Sequence, residues 1–324
     1  MEIILASGAE HLAPSLEERG YSPMTSGLNY DGNRFFFNGD LYTRIDEISD
    51  LQGEPVCVIQ SGSCSGEHEP EKFTTQDRIF ETLQILQILS GPELVREVSH
   101  KHYDYEALEP PSTITVLLTC MPSGKQDHAV KTGECNSALT AIELFLHYCG
   151  RIAIIDAHPW SVDWFDALRC EGKIVDLSMV PYLLKEITTR FPDSVLLAPD
   201  EGAQARLGLD GFGKKRTSSL DSQILGTIPV TGKKLVFMDD MILTGGTLLR
   251  TREHILQEGA CQFAFAATHA LPLMPGEDNL RRLVSILGDE LLVTNTVPSK
   301  TFLLDHPHQA IDCVPLIDEF LQTQ

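Results

Sequence analysis

The sequence predicts an α/β fold in two halves, each a mostly parallel sheet flanked by helices. Three observations predict it. Short apolar runs recur along the 324 residues, several of them almost continuous, as strands covered on both faces require. Longer helical patterns separate these runs, and strand–helix alternation builds parallel sheets. The alternation occurs once before and once after about residue 150, so the chain is expected to divide into 1–148 and 149–324.

In chain order, residues 3–5 form the first strand and 56–60 (VCVIQ) the second. A helix pattern covers 75–89. Residues 99–113 (SHKHYDYEALEPPST) are polar, aromatic and proline-rich, and read as a loop before a strand at 115–118. A helix over 137–149 and a strand over 152–156 follow. The second half continues with a helix at 181–190, strands at 195–198 and 235–239, a helix at 247–258, a strand at 263–268, a helix at 278–287 and a strand at 291–294.

Composition removes several function classes. Lys and Arg number 25 against 46 Asp and Glu, a formal charge of −21. Nucleic-acid binding rests on clustered basic residues, and docking on anionic lipid needs the same; neither is expected here. Cysteines stand at 57, 64, 120, 135, 149, 170, 261 and 313 with no C-x-x-C spacing, which argues against a zinc site or a disulfide framework. A reduced, cytoplasmic setting fits. The opening MEIILASGAEHL has no basic start and only a short apolar run, so it is not expected to be a signal peptide. No apolar stretch reaches the ~18 residues of a membrane span.

The segment 235–250, LVFMDDMILTGGTLLR, carries the strongest chemistry. An apolar strand ends in Asp239 and Asp240; a short turn leads to Thr244, Gly245, Gly246 and Thr247, and a helix follows. Two glycines let backbone N–H groups converge on an anion, and a helix N-terminus adds partial positive charge. Carboxylates at the C-terminal end of a parallel strand face the crevice where such sheets bind ligands, and they accept hydrogen bonds from ribose hydroxyls or hold Mg2+. TGGT alone is compatible with an ordinary strand–turn–helix. With the strand, the acid pair and the helix around it, the segment fits a sugar phosphate.

This segment resembles the 5-phosphoribosyl 1-diphosphate (PRPP) binding motif shared by type I phosphoribosyltransferases and ribose-phosphate diphosphokinases, the PRPP synthetases. Other segments favour the synthetases: VIQSGS at 58–63 with TTQDRIFETLQIL at 74–86, GKQDHAVKTGE at 124–134, AIIDAH at 153–158, LLAPDEGAQAR at 196–206, ATHA at 267–270 and VTNTVP at 293–298 each resemble a family segment, in family order. The resemblance covers nearly the whole chain. It implies two phosphoribosyltransferase-like domains, nucleotide and subunit contacts in the first and the ribose-phosphate loop in the second. The implied reaction moves the β,γ-diphosphate of ATP onto the 1-hydroxyl of ribose 5-phosphate.

By the same resemblance, Lys214 and Arg216 form a catalytic pair on a mobile loop, while Asp239, Asp240 and Thr244, Gly245, Gly246, Thr247 hold the ribose phosphate. Phe37, Asn38 and Asp40, with Lys125, Gln126 and Asp127, contact ATP, and His158 and Asp200 hold Mg2+. Since the family loop matched by 37–40 reaches a neighbouring subunit, a homodimer or homohexamer is implied. Lys125 stands where the family usually has arginine, Asn38 and Asp40 where it has aspartate and glutamate, and Leu243 where many members have aspartate. Only LGLDGFG separates Arg206 from Lys214. Seven residues reach at most ~25 Å extended and cannot hold the helix and strand the family fits there. A more open pocket leaves ADP-ribose as an alternative acceptor, giving ADP-ribose pyrophosphate for NAD+ salvage. A non-catalytic synthetase-associated subunit is the other alternative.

Overall fold

The computed structural model describes residues 1–159, 162–199, 203, 204, 208, 230–274 and 276–324, with the backbone of 213–216 and 222–225. It divides into two compact units, Met1–Ser65 with Glu69–Leu177 and Val314–Gln324, and Gly66–His68 with Ser178–Cys313.

The first unit contains β1 (Glu2–Leu5), α1 (Ala13–Glu17), β2 (Met24–Thr25), β3 (Pro55–Ser61), α2 (Thr75–Ser90), β4 (Glu93–Ser99), β5 (His102–Ala107), β6 (Thr113–Cys120), α3 (Ser137–Leu146), β7 (Arg151–Ile155), α4 (Asp163–Cys170) and β8 (Ile174–Leu177). Its parallel sheet runs β2-β1-β3-β6-β7-β8. Apolar runs make the central strands because both faces are covered: Val56, Val58, Val116 and Ile152 pack with Ile85, Leu86 and Leu89 of α2 and Ile142 and Phe145 of α3, and Cys57, Ile59 and Leu117 on the other face are buried as well. Helix α2 starts at a reciprocal cap, Thr74 Oγ1 accepting from Asp77 N (3.2 Å) and Asp77 Oδ2 accepting from Thr74 N (2.7 Å).

The second unit contains α5 (Val180–Arg190), β9 (Val195–Leu197), β10 (Gly213–Arg216), β11 (Ser222–Leu225), β12 (Lys234–Ile242), α6 (Gly246–Gln257), β13 (Gln262–Ala270), α7 (Asp278–Leu287), β14 (Leu291–Thr294) and β15 (Ala310–Ile311). A final helix, α8 (Val314–Leu321), belongs to the first unit. The main sheet is parallel, β15-β14-β13-β12-β9. Strand β12 shows why the period-2 geometry of a strand gives a continuous apolar run here. Leu235 and Phe237 pack with Leu248, Leu280 and Leu283 of α6 and α7, while Val236 and Met238 pack with Leu183 and Ile187 of α5.

Three expectations differ from the structure. The division at 148/149 moves to Leu177/Ser178, because β7 and β8 extend the first sheet in register, Thr115 opposite Arg151 and Ile152 opposite Ile174. The loop over 99–113 is in part a hairpin: β4 and β5 pair antiparallel, Val95 opposite Tyr105 and Arg96 opposite Asp104. All of β5 is exposed, so burial gives no support to the weak alternation of Tyr103 and Tyr105 with Asp104 and Glu106. Lys214 and Arg216 lie not in a loop but on β10, opposite Ile224 and Ser222 of β11.

Candidate functional site

The second unit shapes the segment read as a ribose-phosphate loop. Parallel pairing sets Asp239 beside Ala267 and Met241 beside His269, so the acid pair sits near the C-terminal end of β12. Asp240 is buried, and its backbone N–H donates to Asp239 Oδ1 at 2.9 Å. Gly245 then adopts φ +69°, a left-handed conformation that favours glycine. It serves as the N-cap of α6, whose N-terminus opens at Gly246. Gly246 N donates to Thr244 Oγ1 at 3.3 Å, and Thr244 itself is exposed. A backbone turn, hydroxyls and a helix N-terminus are thereby gathered next to two carboxylates, a set that suits an anionic group carrying sugar hydroxyls.

Helix α7 borders this loop. A Cβ on Gly245 would stand 2.5 Å from Leu283 Cδ2, so Leu283 occupies the space beside the turn. Helix α7 is itself fixed by Glu277, a fully buried carboxylate. Glu277 accepts from Glu67 N and Lys300 N (both 2.8 Å), Thr301 N (2.9 Å), and the Ser299 and Thr301 hydroxyls (both 2.8 Å). Burial alone raises its pKa, but the backbone donors of Thr301, Glu67 and Lys300 and the Thr301 hydroxyl outweigh it and hold the carboxyl below its ordinary 4.5.

The first unit holds the residues read as ATP contacts. After β6, the segment 124–127 docks on the start of α3. Ala138 N donates to Gln126 O (3.1 Å), Ser137 Oγ to Gln126 Oε1 (2.6 Å), and Asn136 Nδ2 and Trp164 Nε1 to Asp127 O (2.7 and 2.8 Å). Asp127 is buried and bonds His128 Nδ1 at 2.6 Å. Lys125 is exposed. His158 lies against the same segment: a Cβ on Gly124 would be 3.4 Å from His158 Cβ. Ser123 and Asp156, flanking these two places, are non-glycine residues at φ +56° and +42°, the kind of backbone strain that collects at functional sites.

Phe37, Asn38 and Asp40 form a separate turn, closed by Asn38 Nδ2 donating to Asp40 Oδ2 (2.7 Å) and by the Phe35–Leu41 bridge. Phe37 is 96% exposed at its tip. Among the described residues no hydrogen bond or ion pair joins this turn to Lys125, Gln126 or Asp127. Asp200 and the side chains of Lys214 and Arg216 lie outside the described residues, as do most of residues 206–214. Among the described residues, no three His, Cys, Asp or Glu side chains group as a metal site, and no helix is long and apolar enough to cross a membrane.

Sequence reasoning missed four contributors. Asn136 and Trp164 fix Asp127 from a helix cap and a later helix. Arg250 lies beside the Thr244–Thr247 turn, its Nη1 3.9 Å from where a Gly246 Cβ would be; a cation one turn into the helix expected to take an anion was a readable signal. Asn279, on α7, bonds the Leu243 carbonyl at 2.6 Å, and nothing in its local sequence indicates that.

No family model matches the chain. Curated proteins do. A ribose-phosphate pyrophosphokinase of Thermococcus kodakarensis is 31% identical over 307 residues, covering 91% of this chain and 94% of its own length. That of Pyrococcus furiosus is 27% identical over 308 residues, covering 92% and 94%. Among solved structures, a phosphoribosylpyrophosphate synthetase from Mycobacterium smegmatis superposes with a TM-score of 0.72 at 22% identity, covering 99% of this chain and 98% of that one, which is a likeness of fold.

Proposed function

The chain belongs to the ribose-phosphate pyrophosphokinase family, and on that premise we propose that it transfers the β,γ-diphosphate of ATP to the 1-hydroxyl of ribose 5-phosphate, giving PRPP and AMP. The observation that carries this reading is the β12–α6 junction, where Asp239 and Asp240 precede a left-handed Gly245 at the N-terminus of α6. The 5-phosphate fits the Thr244–Thr247 turn, and the acids accept from the ribose hydroxyls. The 1-hydroxyl oxygen forms a bond to the β-phosphorus, the bridging bond to the α-phosphate breaks, and the hydroxyl proton is released. Since negative charge gathers on the phosphoryl oxygens, alignment and neutralisation dominate the catalysis. Lys214 and Arg216 supply cations for the transferred group, and Lys125 supplies one to the nucleotide.

The family resemblance assigns Mg2+ to His158 and Asp200: a carboxylate is the oxygen donor this ion prefers, and His158 packs against the nucleotide segment at Gly124. When bound, the ion neutralises phosphate charge. The 96% exposure of Phe37 supports a role for its turn outside its own subunit, hence a homo-oligomer.

The short Arg206–Lys214 connection favours one other acceptor, ADP-ribose, whose terminal ribose keeps a free 1-hydroxyl. The two readings separate in one assay: AMP release from Mg-ATP with ribose 5-phosphate, ADP-ribose or unphosphorylated ribose. Ribose 5-phosphate is expected to give the highest kcat/KM, and ribose to fail because the backbone N–H groups of the turn then lack an anion. A higher kcat/KM for ADP-ribose overturns the first reading in favour of the second.

A further inference from the structure

We infer that Asn279 is a positioning residue for the ribose-phosphate loop, clamping the loop into its binding conformation before the phosphate arrives. The inference rests on the reading of Thr244–Thr247 as that loop. Asn279 stands in the first turn of α7, and its side-chain amide bridges two connections that leave the same edge of the sheet. Nδ2 donates to Leu243 O at 2.6 Å, directly before Thr244, and to Leu271 O at 2.8 Å, directly after β13. Oδ1 accepts from Leu273 N at 3.3 Å. The backbone completes the lacing, with Leu271 N donating to Ile242 O at 3.0 Å.

Both amide protons and the amide oxygen are therefore committed. The chemistry is specific to an amide: two carbonyl oxygens converge on one nitrogen, and only a donor satisfies them. Leu283, one turn further along α7, fills the space against Gly245. Helix α7 thus holds both flanks of the turn, a polar clamp at Leu243 and an apolar wedge at Gly245. Leu243 offers no polar side chain; its main-chain carbonyl provides the anchor instead. A loop already ordered spares the ligand the entropy of ordering it, so loss of the clamp falls on affinity for the ribose phosphate.

Asn279→Asp tests this with almost no change of shape, because it places an acceptor where two carbonyls need a donor. With ribose 5-phosphate and Mg-ATP, KM for ribose 5-phosphate is expected to rise about 10- to 100-fold, as for two lost hydrogen bonds. KM for ATP should stay within about twofold. Hydrogen exchange without substrate should accelerate at 243–247 while β12 and β13 keep their protection. Asn279→Ala, which removes the donor without adding a charge, should show the same split with a smaller effect. Unchanged exchange at 243–247 in both variants overturns the clamp whatever the substrate proves to be. Equal rises in both KM values with protection lost throughout the second unit also overturn it, since a merely structural residue acts in that way. If the wild-type protein releases no AMP with ribose 5-phosphate, the functional reading fails, and the exchange measurement still decides the clamp.

Discussion

Replacing Gly245 with alanine tests the architecture of the phosphate turn at its tightest point. Two costs arise. Alanine must hold φ near +69°, a left-handed conformation that costs an L-residue about 1–2 kcal/mol. Its Cβ also meets Leu283 Cδ2 at 2.5 Å, Cδ1 at 2.7 Å and Cγ at 2.9 Å. Leu283 is fully buried in the core shared by α6, α7 and β12, so it cannot swing into solvent. Overpacking of this kind costs about 1–3 kcal/mol. The sum, about 2–5 kcal/mol, displaces the turn from its binding conformation, since Leu283 is held in the core while Thr244 is exposed. At ~1.4 kcal/mol per tenfold, KM for ribose 5-phosphate should rise from about 30-fold to beyond about 10³-fold.

The assay is AMP release at saturating Mg-ATP with ribose 5-phosphate varied, then the converse. KM for ATP should stay within about twofold, because the substitution is remote in chemistry from the nucleotide. A second substitution divides the two costs. Leu283→Ala in the Gly245→Ala background removes the clash and leaves the dihedral penalty, so part of the lost affinity should return. Leu283→Ala by itself lowers stability by about 2–5 kcal/mol, and the comparison is therefore made well below the melting temperature. A KM within about threefold of wild type for Gly245→Ala, or a double variant no better than the single, refutes the reasoning.

Three further outcomes are expected. Asp239→Ala combined with Asp240→Ala should abolish AMP release while circular dichroism stays native, since the strand's core packing comes from Leu235 to Met238 and from Ile242; near-normal turnover removes them from the site. Lys214→Ala should lower kcat by about 10²–10³ with little change in acceptor KM, as for a donor used mainly in the transition state; a rise confined to acceptor KM makes it a ground-state contact. Glu277→Gln should cost about 2–3 kcal/mol at pH 7, because an amide cannot accept from all the donors that surround the carboxylate. The folded-state pKa of Glu277 lies below 4.5, so its contribution is fully present above that pH and is lost as pH falls through the folded value. Urea titrations at descending pH should therefore show the wild-type and Glu277→Gln stabilities converging below about 4.5; a gap constant with pH contradicts this.

The parallel sheets were legible because their strands are buried on both faces. Residues 56–60, 115–118 and 263–268 are apolar runs with no alternation to confuse, and each lies inside a strand of the structure. The β4–β5 hairpin was missed because the polar, proline-rich composition of 99–113 outweighed the alternation of Tyr103 and Tyr105 with Asp104 and Glu106, and both faces meet solvent. Helix α4, eight residues with Phe165 buried and Trp164 and Leu168 packed against the same core, is too short for a sustained periodic signal. The unit boundary was missed because pairing of β7 and β8 with the first sheet is a tertiary choice that strand–helix alternation does not encode. At the candidate site, the TGGT turn and acid pair were readable as a contiguous motif. Asn279 was not, since its partner Leu243 is 36 residues away and the contact is to a carbonyl that every residue type carries.

The central claim is that this chain moves a diphosphate rather than a single phosphate. Phosphorus NMR of the protein with Mg-ATP and ribose 5-phosphate tests it most directly. The account predicts that ATP resonances decay while AMP and a C1-linked diphosphate grow in equal amounts, with the 5-phosphate signal retained. Formation of ADP with a new phosphomonoester, release of free diphosphate with AMP, or no turnover of ATP contradicts it.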